Sequence, residues 1–220
     1  MLDFSPTSPT NSFRAKRFRL FRDLVDAVVK AKPAGEICRI VDVGGTVDYW
    51  EVFGSELPWD RLSVTVTNRV AIASSSERIN TQVVDARDMS EFEDSSFDIV
   101  HSNSVIEHVG GWREMMAMAA EVGRLAPAYF VQTPYVWFPI EPHARTPFLQ
   151  FLPEPLRYRL FLMRRNGYYP KARDVSHAML LMQDARLLDR TQMRALFPDA
   201  ELRVERAFGL IKSLIAIRHP

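Results

Sequence analysis

The chain of 220 residues has 47% hydrophobic and 25% charged side chains, which excludes a disordered, collagenous or disulfide-stapled protein and leaves material for a sizeable core. Its 28 Lys and Arg nearly cancel 27 Asp and Glu, so no global field draws it to nucleic acid or to an anionic membrane, and neither is an expected partner. With Cys38 its only cysteine, an internal disulfide and a cysteine-rich zinc site are excluded, in keeping with a reducing, cytoplasmic setting.

Residues 1–12 are rich in Pro, Ser and Thr, which predicts a flexible arm rather than an apolar leader, and no run of apolar residues is long enough to predict a membrane span. From Phe13 to Ala31, Phe18, Phe21, Leu24, Val25 and Val28 recur at steps of three and four. This predicts an amphipathic helix over 13–31 whose basic face stays wet while its apolar face covers the sheet or a ligand. Short β-rich runs follow at Ile37 to Val43, Leu62 to Thr67, Thr81 to Val84, Phe97 to His101 and Ala128 to Gln132, separated by helical stretches such as Trp112 to Leu125, which Pro127 ends. That alternation implies parallel βαβ units. Glu201 to Phe208 and Leu210 to Arg218, parted by Gly209, lie close enough for an antiparallel hairpin. The expected fold is therefore α/β, with a doubly wound, mostly parallel seven-stranded sheet in one domain spanning 1–220. Residues 133–198 are too long for a connection and read as an inserted helical lid over the substrate.

In open α/β sheets a ligand lies beyond the carboxyl ends of the strands, where a glycine turn lets backbone approach it. Arg39-Ile40-Val41-Asp42-Val43-Gly44-Gly45-Thr46 has that form, although a Gly-Gly turn is also plain turn chemistry. Asn68 closes the second strand about two dozen positions after Gly44, near the spacing of about 20 expected of a ribose-binding residue. After the third strand Asp85 can accept from an adenine amine and Met89 can pack on a ring. The small polar residues from Ser102 to Ser104 suit a zwitterionic tail.

Taken together, Val41-Asp42-Val43-Gly44-Gly45, Val84-Asp85-Ala86, Ser96-Phe97-Asp98-Ile99-Val100, Val105-Ile106-Glu107-His108-Val109 and the closing hairpin resemble the class I S-adenosylmethionine-dependent methyltransferases of the type-11 kind, over residues 36 to 218. The resemblance implies a Rossmann-like fold and S-adenosylmethionine as methyl donor, with S-adenosylhomocysteine as product. It also implies that Asp42, Gly44 and Gly45 line the methionine and ribose portion, that Asn68 takes the ribose, that Asp85 and Ala86 hold adenine, and that Asn103 offers its backbone to the amino-acid tail. Thr46 and Asp48 stand where the family usually has further glycines, and Asn68 where it has an acid.

The sulfonium carries the difficult chemistry, so the protein must align an acceptor and, for a hydroxyl, remove its proton. His143, in Phe138-Pro139-Ile140-Glu141-Pro142-His143-Ala144-Arg145 just beyond the fifth strand, is the candidate base, oriented by Glu141; His108 is second. The plainer reading makes His143 a hydrogen-bonded loop residue. Tyr49, Trp50, Trp112, Tyr135 and Trp137 are candidate mouth aromatics, and Tyr135, Trp137 and Arg145 are candidate substrate contacts. Gln132-Thr133-Pro134-Tyr135 with Glu141-Pro142-His143 is similar to methyltransferases of bacterial polysaccharide clusters, including those making O-methylated mannose polymers. That similarity implies a saccharide or related polar acceptor. Some saccharide methyltransferases of the broad family use magnesium, yet no carboxylate spacing here compels a metal site. A homodimer is left open. A nicotinamide-dependent oxidoreductase would share the glycine turn but want a fuller glycine series, and a cofactor-binding protein without turnover is the third reading.

Overall fold

In the computed structural model, which describes residues 9–220 apart from 75 and 77, helix α1 spans Pro9–Ala31, its apolar positions recurring at steps of three and four. The expected start at Phe13 is thus four residues late, and residues 1–8 of the expected arm lie outside the described residues.

Five strands follow: β1 (Cys38–Val43), β2 (Leu62–Asn68), β3 (Ile79–Val83), β4 (Ile99–Asn103) and β5 (Ala128–Pro134). A two-stranded ribbon, β6 (Ile140–Glu141) and β7 (Thr146–Pro147), precedes β8 (Glu201–Ala207) and β9 (Leu210–Arg218). The main sheet has seven strands in the order β3-β2-β1-β4-β5-β9-β8. It is mostly parallel and closes with an antiparallel hairpin, the expected Rossmann-like α/β fold. Asp42 is in register with Val66 on one side and His101 on the other. The helices after α1 are α2 (Val47–Phe53), α3 (Trp112–Leu125), α4 (Glu154–Met163), α5 (Val175–Gln183) and α6 (Arg190–Leu196). Asp189 caps α6 in a capping box with Gln192, which satisfies two otherwise orphaned N–H groups.

The chain divides into two compact units, one of Met1–Asn103, Ala117–Val131 and Ile217–Pro220, the other of Ser104–Met116 and Gln132–Ala216. In the first unit the apolar stripe of α1 is buried: Phe21 packs against Trp50, His101 and Phe130 with ring centroids 5.7, 4.5 and 5.7 Å away. Tyr49 and Trp50, expected at the site mouth, are instead buried in this cluster, because α2 turns both rings inward onto Phe18 and His101. The second unit has its own small core of Ala144, Leu149, Phe161, Ala172 and Ala178.

Cys38 is fully buried on β1, and burial pushes its thiol up to about 12. At about pH 8 a thiol reagent should leave the native protein unlabelled and modify Cys38 fully once guanidinium unfolds it. Native-state labelling followed by mass spectrometry would contradict that burial.

Candidate active site

In the first unit the strand ends carry the expected cofactor residues. Asp42 is almost completely buried: its Oδ2 accepts from Trp50 Nε1 at 2.7 Å, and its Oδ1 lies 2.7 Å from His101 Nδ1. The carboxylate thus anchors β1 to α2 and β4 and is committed to protein partners. Gly44, in the left-handed region at φ 71°, donates its N–H to the Thr67 carbonyl at 2.8 Å. Gly45 is dictated by the carboxylate beside it, since a Cβ at this position would stand 1.8 Å from Asp42 Oδ2. Asn68 donates Nδ2 to the Gly45 carbonyl at 3.1 Å, bracing the glycine turn from the end of β2.

Asp85, following β3, is gripped by Arg87: Oδ1 accepts from Arg87 Nε at 2.9 Å and Oδ2 from Nη2 at 2.5 Å. The Arg87 guanidinium holds the Asp85 carboxyl at about 2, below the usual carboxylate range. Ala86 and Met89 are buried, and the Met89 N–H is taken by Glu121 Oε2 at 2.9 Å. The expected packing of Met89 on a ligand ring therefore gives way to packing in the core. Asn103, at the end of β4, accepts from Arg17 Nη1 of α1 at 2.6 Å through its side chain.

The second unit brings together the expected catalytic residues. His143 Nδ1 lies 2.8 Å from Glu141 Oε1, and the other oxygen of Glu141 accepts from the Ala144 N–H. Gly167 fixes this loop, because its positive φ lets the backbone run where a Cβ would stand 2.4 Å from the His143 carbonyl; the next residue, Tyr168, donates its N–H to that same carbonyl at 2.9 Å. His108 Nε2 meets His143 Nε2 at 3.1 Å, and His108 Nδ1 donates to the Asp184 carbonyl at 2.9 Å. Burial opposes a charge on His108, but Asp184 and Glu107 outweigh it and raise the ring to about 9. Asp184 is held low by the His108 ring, and Tyr169 donates its hydroxyl to Asp184 Oδ2 at 2.9 Å. Burial raises Glu107, whose Oε2 accepts from the Thr133 hydroxyl at 3.0 Å.

Sequence reasoning finds Glu141 paired with His143, and His108 separately, but not their meeting or the parts played by Glu107, Asp184, Thr133 and Tyr169. Glu107 and Thr133 stand in motifs that give them no role of their own, and Asp184 reads as an ordinary residue at a helix end.

The other expected acceptor contacts lie in this unit as well. Tyr135 is half-buried, and its backbone N–H reaches the Lys212 carbonyl at 2.9 Å. Trp137 is exposed and stacks on Phe151 at 5.3 Å. Arg145 is exposed with φ 47°, its guanidinium 4.4 Å from the centre of the Tyr168 ring and bonded to the Tyr168 hydroxyl. None of the three lines a cavity found within this unit. That cavity has a volume of about 530 Å³, and its walls include Glu141, Gln150, Arg157, Phe161, Tyr169 and Arg186. Gln150 donates to the carbonyls of Val136 and Phe138, while Gln150 Oε1 and Arg157 Nε are buried with no hydrogen-bond partner. Sequence reasoning missed both of these side chains, since nothing in their local sequence sets them apart from other residues of the predicted lid.

Residues 59–126 match a family described as a methyltransferase domain. The fold is similar to that of the CurJ carbon methyltransferase, with TM-score 0.55 and 13% identity over 92% of this chain and 54% of that one. It is similar also to the DszA carbon methyltransferase, with TM-score 0.59 and 13% identity over 98% and 56%. A third likeness is to an S-adenosylmethionine-dependent methyltransferase from Aquifex aeolicus, with TM-score 0.51 and 9% identity over 96% and 94%. The chain spans about half the length of the two carbon methyltransferases. No curated protein matches the sequence. Among the described residues no helix is long and apolar enough to cross a membrane. The domain match covers less than a third of the chain, and the three structural likenesses show its fold.

Proposed function

We propose that the chain transfers the methyl group of S-adenosylmethionine to a hydroxyl of a saccharide or related polar metabolite, releasing the methyl ether and S-adenosylhomocysteine. The observation that carries this reading is the paired carboxylate and imidazole of Glu141 and His143, 2.8 Å apart, with Glu141 on the wall of the large cavity. A hydroxyl acceptor needs its proton removed as the C–O bond forms, and a carboxylate-oriented imidazole serves that step. The unpaired Gln150 Oε1 and Arg157 Nε on the same walls offer hydrogen bonds to a polyhydroxylated molecule. Asp42, Gly44, Gly45, Asn68, Asp85, Ala86 and Asn103 form the cofactor side of the proposal, Asp42 and Asn68 by holding the glycine turn in shape rather than by facing the ligand.

The test is incubation of the purified protein with isotopically labelled S-adenosylmethionine and a panel of saccharides, followed by mass and linkage analysis. A labelled methyl ether is the expected product. A new C–C bond on a carbon acid would replace the hydroxyl reading with carbon methylation, the activity named for two of the structurally similar proteins.

Asp85→Ala should weaken S-adenosylhomocysteine binding by about 1–3 kcal/mol if the adenine amine is left unpaired. Because the Asp85 carboxyl is held at about 2, it stays ionised at ordinary pH, and its contribution is lost only as pH falls towards that value. Calorimetric affinity should therefore be flat, as far as Asp85 is concerned, between about pH 5 and pH 8. An affinity that halves with each half-unit of acidification in that range would remove Asp85 from the adenine site.

A further inference from the structure

An imidazole that donates its Nδ1 hydrogen leaves a lone pair on Nε2 when it is neutral. The Asp184 carbonyl, 2.9 Å from His108 Nδ1, can only accept, and Glu141 Oε1, 2.8 Å from His143 Nδ1, is a carboxylate oxygen. Both rings thus point Nε2 at each other across 3.1 Å, a gap that repels unless it holds something positive, either a proton or a cation. Beside them lies Glu107, 1% exposed, whose Oε1 is buried and has no hydrogen-bond partner. An unpaired buried carboxylate oxygen is costly and marks a missing ligand. The nitrogen and carboxylate donors of Glu107, His108 and His143 all lie within 4.8 Å of one another.

We propose that Glu107, His108 and His143 bind one divalent transition-metal ion through a carboxylate oxygen and the two Nε2 atoms. Two nitrogen ligands about 2.1 Å from an ion, at the angles of tetrahedral or octahedral coordination, stand roughly 3.0–3.4 Å apart, and the observed 3.1 Å falls in that interval. The outer partners are those a metal site needs, because an oxygen on each Nδ1–H fixes the ring and its tautomer. Those oxygens are themselves placed: Tyr169 donates to the Asp184 carboxylate, and the Ala144 N–H donates to Glu141. Two imidazoles with one carboxylate suit zinc and ions of similar softness, whereas magnesium prefers an all-oxygen shell, so magnesium is not the ion expected here. Three protein ligands leave a coordination position open. On the methyl-transfer reading above, which this clause alone rests on, the ion occupies His143 Nε2 and takes over proton removal from the free imidazole: the acceptor hydroxyl takes the open position, becomes more acidic and releases its proton to water.

The test strips the full chain with a chelator and titrates it with Zn²⁺, and separately with Co²⁺ as a visible probe, in the absence of any acceptor. Expected are one Zn²⁺ per chain by equilibrium dialysis with elemental mass spectrometry, and Co²⁺ ligand-field bands in the wild type. His143→Ala and His108→Ala should each lose the bands and weaken Zn²⁺ binding roughly 100-fold or more, while still binding S-adenosylhomocysteine as a check on folding. Glu107→Gln should weaken Zn²⁺ binding at least about tenfold; should that buried variant fail to fold, the wild-type spectrum and the two histidine variants decide the matter. A wild type that takes up neither ion, or a His108→Ala/His143→Ala double variant that takes up zinc as the wild type does, overturns the site. Zinc uptake without formation of a methyl ether leaves the site standing and overturns the acceptor reading. Ether formation by a chain that binds no zinc overturns the site alone.

Discussion

Gly45→Ala is expected to cost on the order of 2–5 kcal/mol of stability, the cost of leaving two buried hydrogen-bond donors without their acceptor. The added methyl would lie 1.8 Å from Asp42 Oδ2 and 2.3 Å from its Cγ, an overlap that no small shift relieves. The carboxylate must leave its place, and its departure strands the Trp50 indole and His101 imidazole donors in an apolar, aromatic surround. Because the backbone at 45 is not left-handed, the clash is with this one side chain alone. A double-mutant cycle isolates it: in an Asp42→Ala background, Gly45→Ala should cost no more than about 0.5 kcal/mol and can even stabilise by restricting the unfolded chain. Denaturant unfolding followed by tryptophan fluorescence measures each corner. Costs that simply add would show that the glycine is required for some reason other than the carboxylate.

His143→Ala should lower kcat by about 10²- to 10⁴-fold, the usual loss when a group that deprotonates the acceptor, by itself or through an ion it holds, is removed. Cofactor affinity should stay within about twofold, because the hydrogen-bond partners of His143 are Glu141, His108 and Tyr168, none of them an expected cofactor residue. Glu141→Gln keeps an oxygen for His143 Nδ1 but removes the charge, so it should cost less, roughly 10- to 100-fold. Rapid-quench measurement of a single turnover at saturating donor separates chemistry from product release. An unchanged single-turnover rate in His143→Ala would remove the imidazole from the reaction.

Much of the sheet is legible in the sequence because parallel strands, buried on both faces, read as short apolar runs such as Ile40 to Val43 and Tyr129 to Val131. Start positions were less legible. The helix turn before Phe13 lies in a Pro-, Ser- and Thr-rich stretch without apolar periodicity, and the inward rings of Tyr49 and Trp50 depend on α2, whose seven residues give little periodicity. The glycine turn is visible locally, but its reason is not: Asp42 meets His101 across 59 positions. The same holds in the second unit, where His108 and His143 are each conspicuous and their meeting across 35 positions is written nowhere in either neighbourhood. Residues that gain meaning only through such pairings, Glu107 and Asp184 among them, carry no local signal at all.

The packing of α1 bears on how the chain is made. Phe21 rests on His101 and Phe130, and Arg17 reaches Asn103 across 86 positions. A ribosome adds about 5–20 residues per second, so α1 emerges and then waits on the order of 5–20 seconds before β5 exists to receive it. Throughout that interval Phe21 lacks Phe130, and of the stripe Phe18, Phe21, Leu24, Val25 and Val28 only the first two have early partners, in Tyr49, Trp50 and Phe53, so apolar surface stays open to chaperones and to other chains. Slower translation before Phe130 should therefore raise the share of nascent chains captured or aggregated, and polar substitutions along the stripe should lower capture while weakening the finished fold.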